Sequence, residues 1–159
     1  MRLRIVSKGS LNDGLGHIHR SQSFMRRAAR EHDVEICTVL EPDLEHMLRP
    51  GACPNLGFHD MAALEAHLAK ARPVDATIFD MMTVSPAALD LCRDKSGILA
   101  SISPVFDQME RMDMLFTRFP GTAPLPGVKI FAGVEYAIYG FNCLPIRDEM
   151  YDRTLAQGV

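Results

Sequence analysis

The opening stretch of the chain constrains its fold more than any other part. Leu3-Arg4-Ile5-Val6-Ser7 reads as a short strand, and Lys8 to Gly16 carries the Gly, Ser, Asn and Asp of a loop. From His17 to about His32 the spacing turns helical, with Ile18, Phe24 or Met25, and Ala28 or Ala29 able to line one side. Val34 to Leu40 then alternates and is rich in β-branched residues, which predicts a second strand. Strand, glycine loop, helix and strand in that order make a βαβ unit, in which the strands run parallel.

The alternation continues downstream. Asp43 to Leu48 can form a short helix before the Pro50-Gly51 break. Asp60 suits the N-cap of a helix over Met61 to Ala71, whose Leu64, Leu68 and Ala71 share a face. Val74 to Phe79 reads as a strand ending in Asp80, and Ser85-Pro86 as the cap and first turn of a helix reaching about Asp94. Gly97 to Ser101, Met112 to Thr117 and Val128 to Ala132 predict further strands, and Ile146 to Ala156 a closing helix. The expected class is α/β: a Rossmann-like three-layer domain around a mostly parallel sheet, with right-handed connections. Such sheets bind ligands at the carboxyl ends of their strands, near the point where strand order reverses. The glycine loop and the segment after Asp80 both fall at such ends.

Composition narrows the partners. A chain of 159 residues with 47% apolar content suits one domain with a full core. Its apolar runs are far shorter than the ~20 residues of a membrane helix, and the start has no signal-peptide pattern. A net charge of −3 argues against a nucleic-acid binder. Cys37, Cys53, Cys92 and Cys143 are scattered with no CxxC pair, so spacing supports no metal site, and reduced cytoplasmic thiols are expected. No cofactor is called for. Residues 1–30 hold seven Lys or Arg against Asp13 alone. Arg26, Arg27 and Arg30 suit a solvated helix face, whereas Lys8 and Arg20 flank the glycine turn and could favour an anion.

Gly14-Leu15-Gly16-His17 is the distinctive motif. Glycines let backbone approach a ligand closely, and free N–H groups in a first helical turn attract negative charge. A GxGxxG reading fails because His19 stands at the third glycine position, and no GK[ST] follows for a phosphate-binding loop. A neutral imidazole at His17 could take a proton from water or a sugar hydroxyl. It could equally cap the helix or fill the turn without chemistry. His19, two residues on, points elsewhere on a helix. A receiver-type phosphoacceptor built on Asp80 is excluded by the glycine turn, which stands where an acidic pair would follow the first strand.

Gly14-Leu15-Gly16-His17-Ile18-His19-Arg20 resembles the G-x-G-H-x-x-R signature of a glycosyltransferase-B-like group that includes the UDP-sugar hydrolase of pseudaminic acid biosynthesis and spore-coat polysaccharide proteins. Gly133-Val134-Glu135-Tyr136-Ala137, followed by Ile146-Arg147-Asp148-Glu149-Met150-Tyr151, is similar to the segment that closes the N-terminal domain in that group. A strand ending in Phe79-Asp80 is a further likeness. The resemblance implies the N-terminal half of a GT-B architecture, with residues 1–145 as the acceptor- or sugar-side domain and 146–159 as a linker helix. Its partners would be a nucleotide sugar or glycan acceptor and a C-terminal nucleotide-binding domain, in the same or a separate chain. His17 would be the catalytic residue, with Gly14, Leu15, Gly16, Arg20, Asp80, Met82, Thr83 and Ser103 on the substrate side.

The chain departs from that group in several places. Met81-Met82-Thr83 replaces a His-Tyr-Gly type segment, leaving either an apolar wall for another sugar or acceptor, or two core methionines. About five residues, around Tyr139 to Cys143, are inserted before Arg147. A second domain is lacking, so a fragment or a split partner is expected. Asp80 could meet a sugar hydroxyl or cap its own loop, while Ser101, Ser103 and Asp107 could line the same edge. Tyr136 and Arg147 read as stabilisers of the closing segment, and Glu149 can pair with Arg153 on a helix face. A non-catalytic binding subunit, docking through an exposed apolar patch, is the alternative to an enzyme domain.

Overall fold

A computed structural model describes residues 1–11, 14–48, 53–102 and 108–136. The expected closing helix, together with Ser103, Asp107, the Tyr139 to Cys143 insertion, Arg147, Glu149 and Arg153, lies outside the described residues. The strands are β1 (Arg2–Gly9), β2 (Asp33–Leu40), β3 (Asn55–Phe58), β4 (Val74–Asp80), β5 (Ser96–Ser101), β6 (Met114–Thr117) and β7 (Lys129–Ala132). They form one sheet in the order β3-β2-β1-β4-β5-β6-β7, every neighbouring pair parallel. The chain runs outward from β1 to β3, then crosses back to β4 on the other side of β1. The strand order therefore reverses between β1 and β4, which are paired from Leu3↔Ala76 to Ser7↔Asp80.

Helices α1 (Gly16–Ala28), α2 (Met61–Lys70) and α3 (Pro86–Lys95) cover the two faces. Strand side chains alternate between faces. Leu3 and Ile5, Val34 and Ile36, and Ala76 pack with Met25 of α1. The alternate set, Val6, Cys37, Val39, Phe79 and Leu99, packs with Leu64 and Leu68 of α2 and Ala88, Leu89 and Cys92 of α3. The expected three-layer Rossmann-like domain is thus formed, with a sheet that is wholly parallel among the described strands. Burial pushes the thiols of Cys37 and Cys92 up to about 12 and about 11, so both sit in this core as protonated small hydrophobes.

Local chemistry accounts for the helix starts. The Asp60 carboxylate accepts from the backbone N–H of Ala63 at 2.7 Å, and the Ser85 hydroxyl from that of Ala88 at 3.1 Å with Pro86 following. Leu15, at the cap of α1, gives no side-chain hydrogen bond. Residues 42–47 form a 3₁₀ turn rather than an α-helical one. Strand β3 was not expected: Asn55-Leu56-Gly57-Phe58 is a four-residue edge strand following Pro54, too short and too glycine-broken to show alternation.

Two contacts set local tolerances. A Cβ on Gly9, at the end of β1, would overlap the side chain of Ile18, itself 1% exposed. A larger residue 9 would force the buried Ile18 side chain, or the first turn of α1 that carries it, to shift. Gly16 is different, since a Cβ there meets nothing within 4 Å among the described residues and its φ is not positive. Gly9→Ala is expected to lower stability by about 1–3 kcal/mol and Gly16→Ala to leave it within about 0.5 kcal/mol, as measured by urea denaturation.

Asp113 ties β5 to the start of β6, its Oδ2 accepting from the Leu99 backbone N–H and from Arg93 Nη1, both at 2.7 Å. Desolvation pushes its carboxyl up. The Arg93 hydrogen bond, the Leu99 amide and the Arg93 charge outweigh that and hold it below the ordinary value of 3.8. A depressed folded pKa contributes stability that is complete above the unfolded value and fades as pH falls through the folded one. Asp113→Asn should therefore flatten the loss of stability below about pH 4, read from urea midpoints across an acid series.

Candidate active site

Register decides what stands at the carboxyl edge. On the α1 face, the apolar rows of β2, β1 and β4 end in Thr38, Ser7 and Asp80, which lie side by side in the sheet. Ser7 Oγ and Thr38 Oγ1 are 3.0 Å apart and share a hydrogen bond. Asp80, by the two-residue alternation, faces the same way as Ala76 and so lies beneath α1. Its side chain is wholly buried.

Helix α1 supplies the donors that a buried carboxylate requires. His17, Arg20 and Ser21 sit at i, i+3 and i+4 and so share one flank of the helix. His17 Nδ1 lies 2.7 Å from Asp80 Oδ1. Arg20 Nε donates to Oδ2 at 3.0 Å, and Arg20 Nη2 donates to Oδ1 to complete a two-pronged pair. Ser21 Oγ donates to Oδ2 at 3.0 Å. Arg20 Nη2 also stands 3.0 Å from His17 Nδ1. The carboxylate, the shorter contact, favours the proton of a neutral imidazole on Nδ1, and Arg20 Nη2, which can only donate, then serves Asp80 and not the ring. The acceptor lone pair is then on Nε2. His17 is 12% exposed at its side chain and Arg20 28%, whereas Asp80 is closed to solvent.

The remaining sequence candidates divide by position. Gly14 has φ +88°, the left-handed region that favours glycine, and its N–H bonds to the Ser10 carbonyl at 2.9 Å, folding the loop back before α1. Leu15 is half-buried and Gly16 exposed at the first residue of the helix. Met82 and Thr83 are exposed in the loop after β4, while Met81 is a core residue with no exposure. The methionine pair is thus one core residue and one surface residue. Asp80, read from the sequence as a sugar contact or a loop cap, has its carboxylate buried and bonded to His17, Arg20 and Ser21 of α1. Ser101 is buried with its hydroxyl toward the Phe79 carbonyl at 3.5 Å. Tyr136 packs against Phe116 of β6 and Phe131 of β7. Ser103 lies outside the described residues.

Sequence reasoning missed two features. Ser21 was not singled out, although its i+4 spacing from His17 signals a shared flank. A cleft of about 330 Å³ opens at the same sheet edge on the other side of β1, between Lys8, Gly9, Ser10, Glu41 and His59. Lys8 is on its wall because it alternates with Ser7; His17 is not.

Removing Asp80 would strand Arg20 and free the imidazole to rotate. Asp80→Ala is expected to cost about 1–3 kcal/mol, below the ~3–5 kcal/mol of a broken buried pair because the Arg20 left behind reaches solvent. His17→Ala should cost less than about 1 kcal/mol, and paired thermal melts would measure both.

No protein-family model matches the chain, and no similar protein was found among the curated ones.

Proposed function

We propose that this chain is the N-terminal, sugar- or acceptor-side domain of an enzyme acting on nucleotide-linked sugars, by hydrolysis or glycosyl transfer, with His17 as general base. The observation that carries the reading is the His17–Asp80 pair, 2.7 Å long, beneath the reversal point of a parallel sheet. Nε2 takes the proton of a water or a sugar hydroxyl as that oxygen attacks the anomeric carbon. The bond from this carbon to the phosphate oxygen breaks, and the nucleoside diphosphate leaves with the electron pair. The buried Asp80 carboxylate stabilises the imidazolium that forms and holds the ring in one orientation. The resemblance to the glycosyltransferase-B-like group assigns the leaving diphosphate to helix N-termini of a second, C-terminal domain.

A second reading, a non-catalytic subunit that recruits a nucleotide-binding partner, draws on exposed apolar residues at this edge. Leu11, after β1, is 73% exposed and Met82, after β4, is 41% exposed. A partner domain or an acceptor would cover them in either reading.

Titration of the chain with UDP, a UDP-N-acetyl sugar and the free sugar, followed by amide NMR, tests the division of labour. Shifts on residues 14–20 and 80–83 with the sugar-bearing ligands are expected. Tight binding of UDP alone would make this the nucleotide side instead. With the nucleotide-binding partner present, His17→Ala should lower turnover about 10²–10⁴-fold while ligand shifts persist. Unchanged turnover in that variant would leave the binding-subunit reading.

A further inference from the structure

We propose that Glu35, Cys37 and His67 form a site for a divalent metal of zinc type, on the sheet face opposite His17. Glu35 and Cys37 are two residues apart on β2 and so project to one face, the face that α2 covers. His67 comes from α2, between the core residues Leu64 and Leu68. One donor atom from each of the three lies within 4.8 Å of the other two. Zinc bonds of about 2.0–2.3 Å in a tetrahedron set ligand atoms roughly 3.3–3.8 Å apart, so small side-chain rotations bring the three donors onto one ion.

A second observation points the same way. His67 Nε2 is buried and has no hydrogen-bond partner among the described residues. A buried imidazole nitrogen normally has one, and a metal bond would supply what the protein does not. Glu35 is held as ligating carboxylates usually are: Arg4 Nε donates to its Oε1 at 2.6 Å, and Arg4 Nη2 is tied in turn to the Arg72 carbonyl at 2.8 Å. The mixture of thiolate, imidazole and carboxylate suits zinc better than magnesium or calcium, which prefer oxygen alone. On uptake the Cys37 thiol becomes a metal thiolate and its proton passes to solvent, while three protein donors leave a fourth position for water. The Arg4 guanidinium opposes cation binding, and its pairing with Glu35 offsets that charge.

The full chain, stripped with chelator, would be titrated with Co²⁺ and then with Zn²⁺ in competition. Expected are one equivalent bound, a thiolate-to-cobalt absorption band that survives in Cys53→Ser and Cys92→Ser but not in Cys37→Ser, and an affinity at least ~10-fold weaker in His67→Gln. Far-UV circular dichroism checks each variant. If Cys37→Ser does not fold, X-ray absorption of the zinc-loaded wild type should give one sulfur with nitrogen and oxygen neighbours. Absence of a thiolate band, a band persisting in folded Cys37→Ser, or a zinc shell with no sulfur or two sulfurs would overturn the proposal.

Discussion

A carboxylate cut off from water must find its donors within the protein, and the seating of α1 follows from how Asp80 finds them. The side chain is closed to solvent, and its two oxygens are met by His17, Arg20 and Ser21 from one flank of the helix. The apolar stripe of Ile18 and Met25 explains why α1 lies on the sheet at all. Apolar contact is tolerant of sliding and rotation. The carboxylate is not, because a helix shifted by one turn would leave a buried charge without partners.

The same interaction joins stability to chemistry. His17 is held by a buried carboxylate from the sheet, so the orientation of its ring is set by the fold itself. Arg20 contributes at one remove: by sharing Asp80 it fixes the carboxylate that fixes the ring. The loop preceding α1 complements this through backbone geometry, with Gly14 turning the chain and Gly9 letting Ile18 approach β1.

Much of the fold was legible because it rests on local signals. The first βαβ unit, the Asp60 and Ser85 caps and the β4 strand all announce themselves through periodicity and capping residues. Strand β3 did not, since it pairs at an edge and has little room for alternation. For the site, His17, Arg20 and Asp80 could each be singled out from sequence, but their bond spans 63 residues and depends on register. Nothing local says that Asp80 pairs beside Ser7 and therefore faces α1. Glu35, Cys37 and His67 show the same limit more sharply. Their spacing fits no metal motif, and only the packing of α2 on β2 brings them together.

The end of β1 carries a further consequence. Ser7 belongs to the polar row beneath α1, while its neighbour Lys8 belongs to the cleft on the opposite side. Adjacent residues thus serve two separate compartments, and only the pleat of the strand keeps them apart. The strand works as a sorting device with an odd and an even channel. An inserted or deleted residue in β1 would exchange the contents of both channels at once, putting a cation under α1 and a hydroxyl in the cleft. Evolution can vary the length of the loop that follows far more freely than that of the strand that feeds it.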